Sequence, residues 1–89
     1  MITDVRAPVK VGVVFSGGAV RIRWLIWNEQ KVFVTRVTFH WKTHRGGAAI
    51  HHFALCDGRM VFEVSFHPAH LTWYLERVHD EDETHYHAC

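Results

Sequence analysis

Nine histidines stand in this 89-residue chain, two of them adjacent in the stretch AIHHFALCDGRMVFE over residues 49–63. Two neighbouring imidazoles could act as paired ligands or as an acid and a base, provided that they face the same way. In an extended strand successive side chains point to opposite faces. His51 is therefore expected on the core face, next to Trp41 and opposite Val64, and His52 on the outer face. Strand pairing then gives an outer row of His40, His52, Glu63 and Tyr74. Directly opposed residues have Cβ atoms ~4.5–5.5 Å apart, so His40, His52 and Glu63 could hold Zn²⁺ through two nitrogens and a carboxylate, or serve in proton transfer. A solvated sheet face that pairs histidine with glutamate explains the row more simply, and zinc stands as the alternative. No other cofactor is expected.

The neighbouring outer rows carry Arg21, Arg23, Arg36 and Arg59, with Lys10 and Lys42 close by and Glu76 at one margin. Arginine is the side chain best suited to tracking a phosphate backbone, so these four are the candidate nucleic-acid contacts. Trp27 and Tyr74 are the candidate outward aromatic platforms for bases. Trp27 with Leu25, Val32 and Val34 instead reads as an apolar outer patch, which a terminus, strand coiling or a partner subunit would cover. A homodimer using that patch is a third reading.

Other chemistry lacks its parts. Ser16 and Ser65 are the only serines and neither sits in a strand-to-helix elbow, while Cys56 has no clear base and no helix N-terminus. No glycine-rich phosphate loop opens a helix. Enzyme activity is not expected. Cys56 and Cys89 form neither a metal-spaced pair nor a disulfide framework. The net charge of +1 announces no polyanionic partner, so any electrostatic argument rests on local clustering. No apolar run has spanning length and no leader pattern is present, which makes a soluble cytoplasmic protein without membrane contact the expectation.

The elements that must position these residues show themselves by period 2. VKVGVVFS, AVRIRWLIWN, KVFVTRVTFHWKTH, AIHHFALC, RMVFEVSF and LTWYLERV are rich in Val, Ile, Phe and Trp, and turn signals separate them. No stretch shows a helical stripe. A two-residue Gly17-Gly18 turn pairs Phe15 with Val20, Val13 with Ile22, Val11 with Trp24 and Val9 with Ile26. A turn at Glu29-Gln30 pairs Ile26 with Phe33. A two-residue loop at Gly46-Gly47 would set Trp41 opposite His52 and throw Phe53 and Leu55 outward, so a three-residue loop, Arg45 to Gly47, is chosen to keep them in phase. Asp57-Gly58 then sets Leu55 against Met60, and the His67-Pro68-Ala69-His70 turn sets Phe66 against Leu71.

These registers agree on one apolar face. A six-stranded antiparallel meander with no substantial helix to cover that face must bury it against itself. The expected fold is all-β, closing into a small barrel or a strongly bent half-barrel over residues 5–79. The acidic, histidine-bearing tail 80–89 is expected to be disordered, with His85, His87 and Cys89 as conceivable metal scavengers.

The segments WNEQKVFVTRVTFHW and HHFALCDGRMVFEVSFHPAHLTWYLERV resemble those of small uncharacterised bacterial proteins, a family of unknown function. In that family a Trp-Xaa-Gly-like turn precedes an aromatic-Xaa-Val strand, and a Trp-Xaa-Leu-Xaa-Arg-Val strand lies near the C-terminus. The matching positions are Trp27, Phe33, Val34, Val37, Trp41, Pro68, Trp73, Leu75, Arg77 and Val78. Asn28 stands where glycine is usual and His67 where an acid is usual. Some members are encoded beside DNA-repair polymerases, so the resemblance implies a nucleic-acid-related accessory role and brings no catalytic residues. The expected function is a non-catalytic binding module for nucleic acid or protein.

Overall fold

The computed structural model describes residues 2–79, and every regular element among them is a strand. They are β1 (Ile2–Ser16), β2 (Ala19–Trp27), β3 (Gln30–Phe33), β4 (Arg36–Arg45), β5 (Ala48–Cys56), β6 (Val61–His67) and β7 (Thr72–His79). All seven form one antiparallel sheet in the order β3-β2-β1-β7-β6-β5-β4. No described helix is long and apolar enough to cross a membrane. The proposed tail 80–89 lies outside the described residues.

Two expectations about architecture are corrected. The third strand read from the sequence is two strands, β3 and β4, and the sheet is not closed. The 15-residue β1 pairs with β7 through its first half and with β2 through its second, so the first and last strands are joined. The two edges of the sheet, β3 and β4, are consecutive in the chain. Val34 and Thr35 link them, the Val34 amide donating to Arg23 O at 2.9 Å and the Thr35 amide to Cys56 O at 2.7 Å. A two-residue link spans only about 10 Å, so the sheet curls until its edges nearly meet.

Bulges break the strict alternation assumed from the sequence. Arg23 is an extra residue in β2, since Val13 pairs with Ile22 but Gly12 with Trp24. One extra residue exchanges the two faces of the strand beyond it. The second hairpin also turns one residue early, at Asn28-Glu29, with φ of 52° and 63°. Leu25 consequently pairs with Val11 and Val32 and is completely buried. Trp27, Val32 and Val34 pack against the same core. The outward placement of Leu25, Trp27, Val32 and Val34 is therefore overturned, and with it the exposed patch that the dimer reading required.

The Gly46-Gly47 loop has two residues, not three; both glycines take positive φ, 57° and 82°, as a tight hairpin turn demands. Trp41 does face His52, yet Phe53 and Leu55 stay in the core because Thr38 is an extra residue in β4. A bulge within the strand does the rephasing that the longer loop was invoked for. The turn after β5 takes four residues and not two, giving Leu55↔Phe62, and the four-residue turn after β6 starts one residue later than expected, giving Phe66↔Trp73; each is a slip of two residues in pairing that leaves the faces unchanged. Residues Ile22, Leu25, Phe53, Leu55, Phe62, Val64, Leu75 and Val78 form the core. Each stabilises the fold by about 1.5–3 kcal/mol relative to exposure.

Candidate functional sites

The face of β4–β7 turned away from that core carries a polar cleft. Its central row reads Trp41, His52, Ser65, Tyr74, and the next reads Ala54, Glu63, Arg77. Glu76 is the extra residue of a bulge in β7, which turns both Glu76 and Arg77 toward this face between the buried Leu75 and Val78. A second bulge, in β1, holds Arg6 at φ 51° beside the same cleft. The opening encloses about 530 Å³.

The cleft floor carries two groups of hydrogen bonds, one around Ser65 and one around Glu63. Ser65, with no solvent exposure, donates to Glu76 Oε2 at 2.5 Å. Its single proton is thereby used, so His67 Nε2, 3.1 Å from Ser65 Oγ, acts as the donor to that oxygen. Arg77 donates to Glu63 Oε1 at 2.9 Å and reaches Asp4 at 3.4 Å, while His79 Nε2 bonds the other oxygen of Glu63. The Glu63 carboxylate raises the pKa of Arg77 further. Among the described residues no buried side-chain polar atom lacks a partner.

His52 stacks on Trp41 with ring centroids 5.2 Å apart and planes 8° from parallel, and its Nε2 lies 2.8 Å from Thr43 Oγ1. Burial lowers its pKa, and His67 and Arg77 act in the same sense against the opposing pull of Glu76 and Glu63. His51 lies on the core side, as expected, but opposite Lys42 and Phe66. Its pKa is lowered by burial, then by Lys42 and His40.

The zinc set does not assemble. His52 and Glu63 share the cleft face, but His40 faces Phe53 on the core side and stacks on its ring at 4.5 Å. The Thr38 bulge and the shorter glycine loop account for the difference. No group of three or more His, Cys, Asp or Glu that could hold a metal occurs among the described residues. Cys56 is fully buried in β5.

The four arginines meet a different fate. Arg21, Arg23, Arg36 and Arg59 are all exposed. The β3–β4 junction gathers three of their backbone positions: Arg23 O receives the Val34 amide, and Arg36 lies two residues further on, opposite Cys56. Arg59 follows in the next turn, where Gly58 lies against Thr35. Asp57 spends one carboxylate oxygen on the amides of Arg59 and Met60, at 2.8 and 2.7 Å. None of the four arginines is ion-paired among the described residues. The exposed Phe33 ring adjoins this junction, with Lys31 Nζ 5.8 Å from its centroid and 4.8 Å from that of Trp24.

Sequence reasoning missed Arg6, Trp41, Ser65, His67, Glu76 and Arg77 as members of one site. Bulges aim Arg6, Glu76 and Arg77, and the two-residue Gly46-Gly47 loop turns Trp41 outward; no residue type announces a bulge as plainly as Gly-Gly announces a turn. Comparison with known proteins finds no matching family model, curated protein or solved structure.

Proposed function

We propose that this chain is a non-catalytic nucleic-acid-binding module that grips the phosphate backbone with Arg21, Arg23, Arg36 and Arg59. The observation that carries the reading is the segregation of charge. Residues 2–79 hold ten Lys and Arg against five Asp and Glu. Of those five acids, Asp4, Glu63 and Glu76 are engaged by Arg77, His79 and Ser65 in or beside the cleft, and Asp57 caps its own turn. Among the described residues the arginines at the β3–β4 junction have no ion pair, and such guanidiniums beside an exposed aromatic ring suit a flexible strand.

The test is fluorescence anisotropy with single-stranded and duplex 20-mers over a series of salt concentrations. Binding that weakens steeply with salt and is lost in the Arg23→Glu/Arg36→Glu double variant is expected. Binding insensitive to salt, or unchanged in that variant, would overturn the reading.

A further inference from the structure

We propose that the cleft on the outer face of β4–β7 is a second site, which binds a nucleoside monophosphate: the base against the Trp41–His52 pair, the phosphate on the guanidinium groups of Arg6 and Arg45. The inference is independent of the arginines at the β3–β4 junction.

Four observations converge on this ligand chemistry. The first is the state of the carboxylates. Glu63 is paired with Arg77 and bonded by His79, Glu76 is oriented by the buried Ser65, and the lining sets Arg6, Arg45 and Arg77 against these two carboxylates, so fixed cations outnumber fixed anions. The second is that Arg6 and Arg45 line the same opening and have no ion pair among the described residues. Two such guanidiniums at the rim of one concave opening favour a phosphate, to which they donate bidentate hydrogen bonds.

The third observation is the backbone at Arg6. A non-glycine residue at φ 51° is strained, and such strain collects where a side chain must be aimed. The bulge there places an arginine, and not a neighbouring valine or alanine, beside the cleft. The fourth is the wall. Trp41 and His52 line the opening with their rings stacked on one another, and an outer face of such a stack can take a planar heterocycle. A volume of about 530 Å³ lies within the range of small-molecule sites.

The phosphomonoester could belong to a free nucleotide or to the 5′ end of a strand, and the experiment separates the two. Isothermal titration of the full 89-residue chain uses AMP, adenosine, inorganic phosphate and a 5′-phosphorylated trinucleotide. AMP is expected to bind at least about tenfold more tightly than adenosine or phosphate alone. Arg6→Gln and Arg45→Gln, both at exposed positions, should each weaken AMP by roughly tenfold and leave adenosine unchanged. Trp41→Leu should reduce AMP to the level of inorganic phosphate. The Arg23→Glu/Arg36→Glu variant should retain full AMP affinity even if it loses strand binding, so the two readings fail separately. A trinucleotide tighter than AMP identifies a strand end, and a weaker one identifies the free nucleotide. AMP binding no tighter than phosphate, unchanged in both Arg6→Gln and Arg45→Gln, or lost in the Arg23→Glu/Arg36→Glu variant would overturn the proposal.

Discussion

Ser65 gives its hydroxyl proton to Glu76 across 2.5 Å from a position with no solvent exposure. A hydrogen bond to a charged acceptor contributes about 1.5–3 kcal/mol, and the loss is greatest when the acceptor is left without a donor. Ser65→Ala should therefore lower the unfolding free energy by about 2 kcal/mol in urea titration. Adding Glu76→Gln, which removes the charge that needed the donor, should recover part of that loss. A double-mutant cycle with no coupling would show that the two groups do not act together.

Trp24 lies across Gly12 so closely that a methyl group there would sit 2.1 Å from Cε2 and 2.4 Å from Nε1 of the indole. The pair faces one another across β1 and β2 directly beside the Arg23 bulge. Gly12→Ala forces the ring aside and should destabilise the protein by about 1–3 kcal/mol. In a Trp24→Ala background the same substitution should cost far less. Equal costs in both backgrounds, measured by urea denaturation, would mean that the indole does not occupy this space in solution.

The all-β class and the core membership of Ile22, Phe53, Leu55, Phe62, Val64 and Leu75 were legible in the sequence because period 2 and turn residues mark strands and inward positions. What was not legible is where the period breaks. Residues near Arg6, Arg23, Thr38 and Glu76 each add one position to a strand. Nothing in Thr or Arg as a residue type favours a bulge, so a register carried past them assigns the wrong face. His40 was lost from the outer row that way, and Leu25 was gained for the core. The Asn28-Glu29 turn was readable in principle, since asparagine tolerates positive φ better than glutamine does.

His51 and His52 both resist protonation in the folded chain, chiefly through burial. Lys42 and His40 add to the effect at His51; His67 and Arg77 add to it at His52, against Glu76 and Glu63. A histidine whose folded pKa is depressed binds its proton more readily when unfolded, so its contribution to stability is complete above the ordinary 6.5 and lost as pH falls through the folded value. Urea midpoints should decline as pH is lowered from above 6.5 into the acid range, and His51→Gln or His52→Gln should each flatten that decline. A midpoint that rises on acidification would contradict this sign.

Counterion release gives the arginine surface a quantitative signature. Each phosphate neutralised contributes about 0.9 to the log–log salt slope on duplex and about 0.7 on a single strand. Single Arg→Gln changes at positions 21, 23, 36 and 59 should each reduce the slope by about that amount. Arg77→Gln should leave the slope alone, since Arg77 already pairs with Glu63 and Asp4, and should lower stability instead. A slope that responds to Arg77 as much as to Arg23 would move the contact surface to the cleft.

The β2–β3 turn offers a gain in stability. Tight hairpin turns want positive φ at both central residues, and here they are Asn28 at 52° and Glu29 at 63°. The left-handed conformation costs a side-chain-bearing residue about 1–2 kcal/mol, asparagine less than most. Glycine removes that cost but adds about 0.5–1 kcal/mol of chain entropy to the unfolded state. Glu29→Gly should therefore stabilise the protein by about 0.5–1 kcal/mol, the difference between those terms. Asn28→Gly should change little. The reverse change at the matching glycine turn, Gly47→Ala at φ 82°, should destabilise, because the left-handed cost then outweighs the entropy gained. Urea denaturation of the three variants checks the order, and a Glu29→Gly protein weaker than the parent would place the turn elsewhere, with β3 in another register against β2.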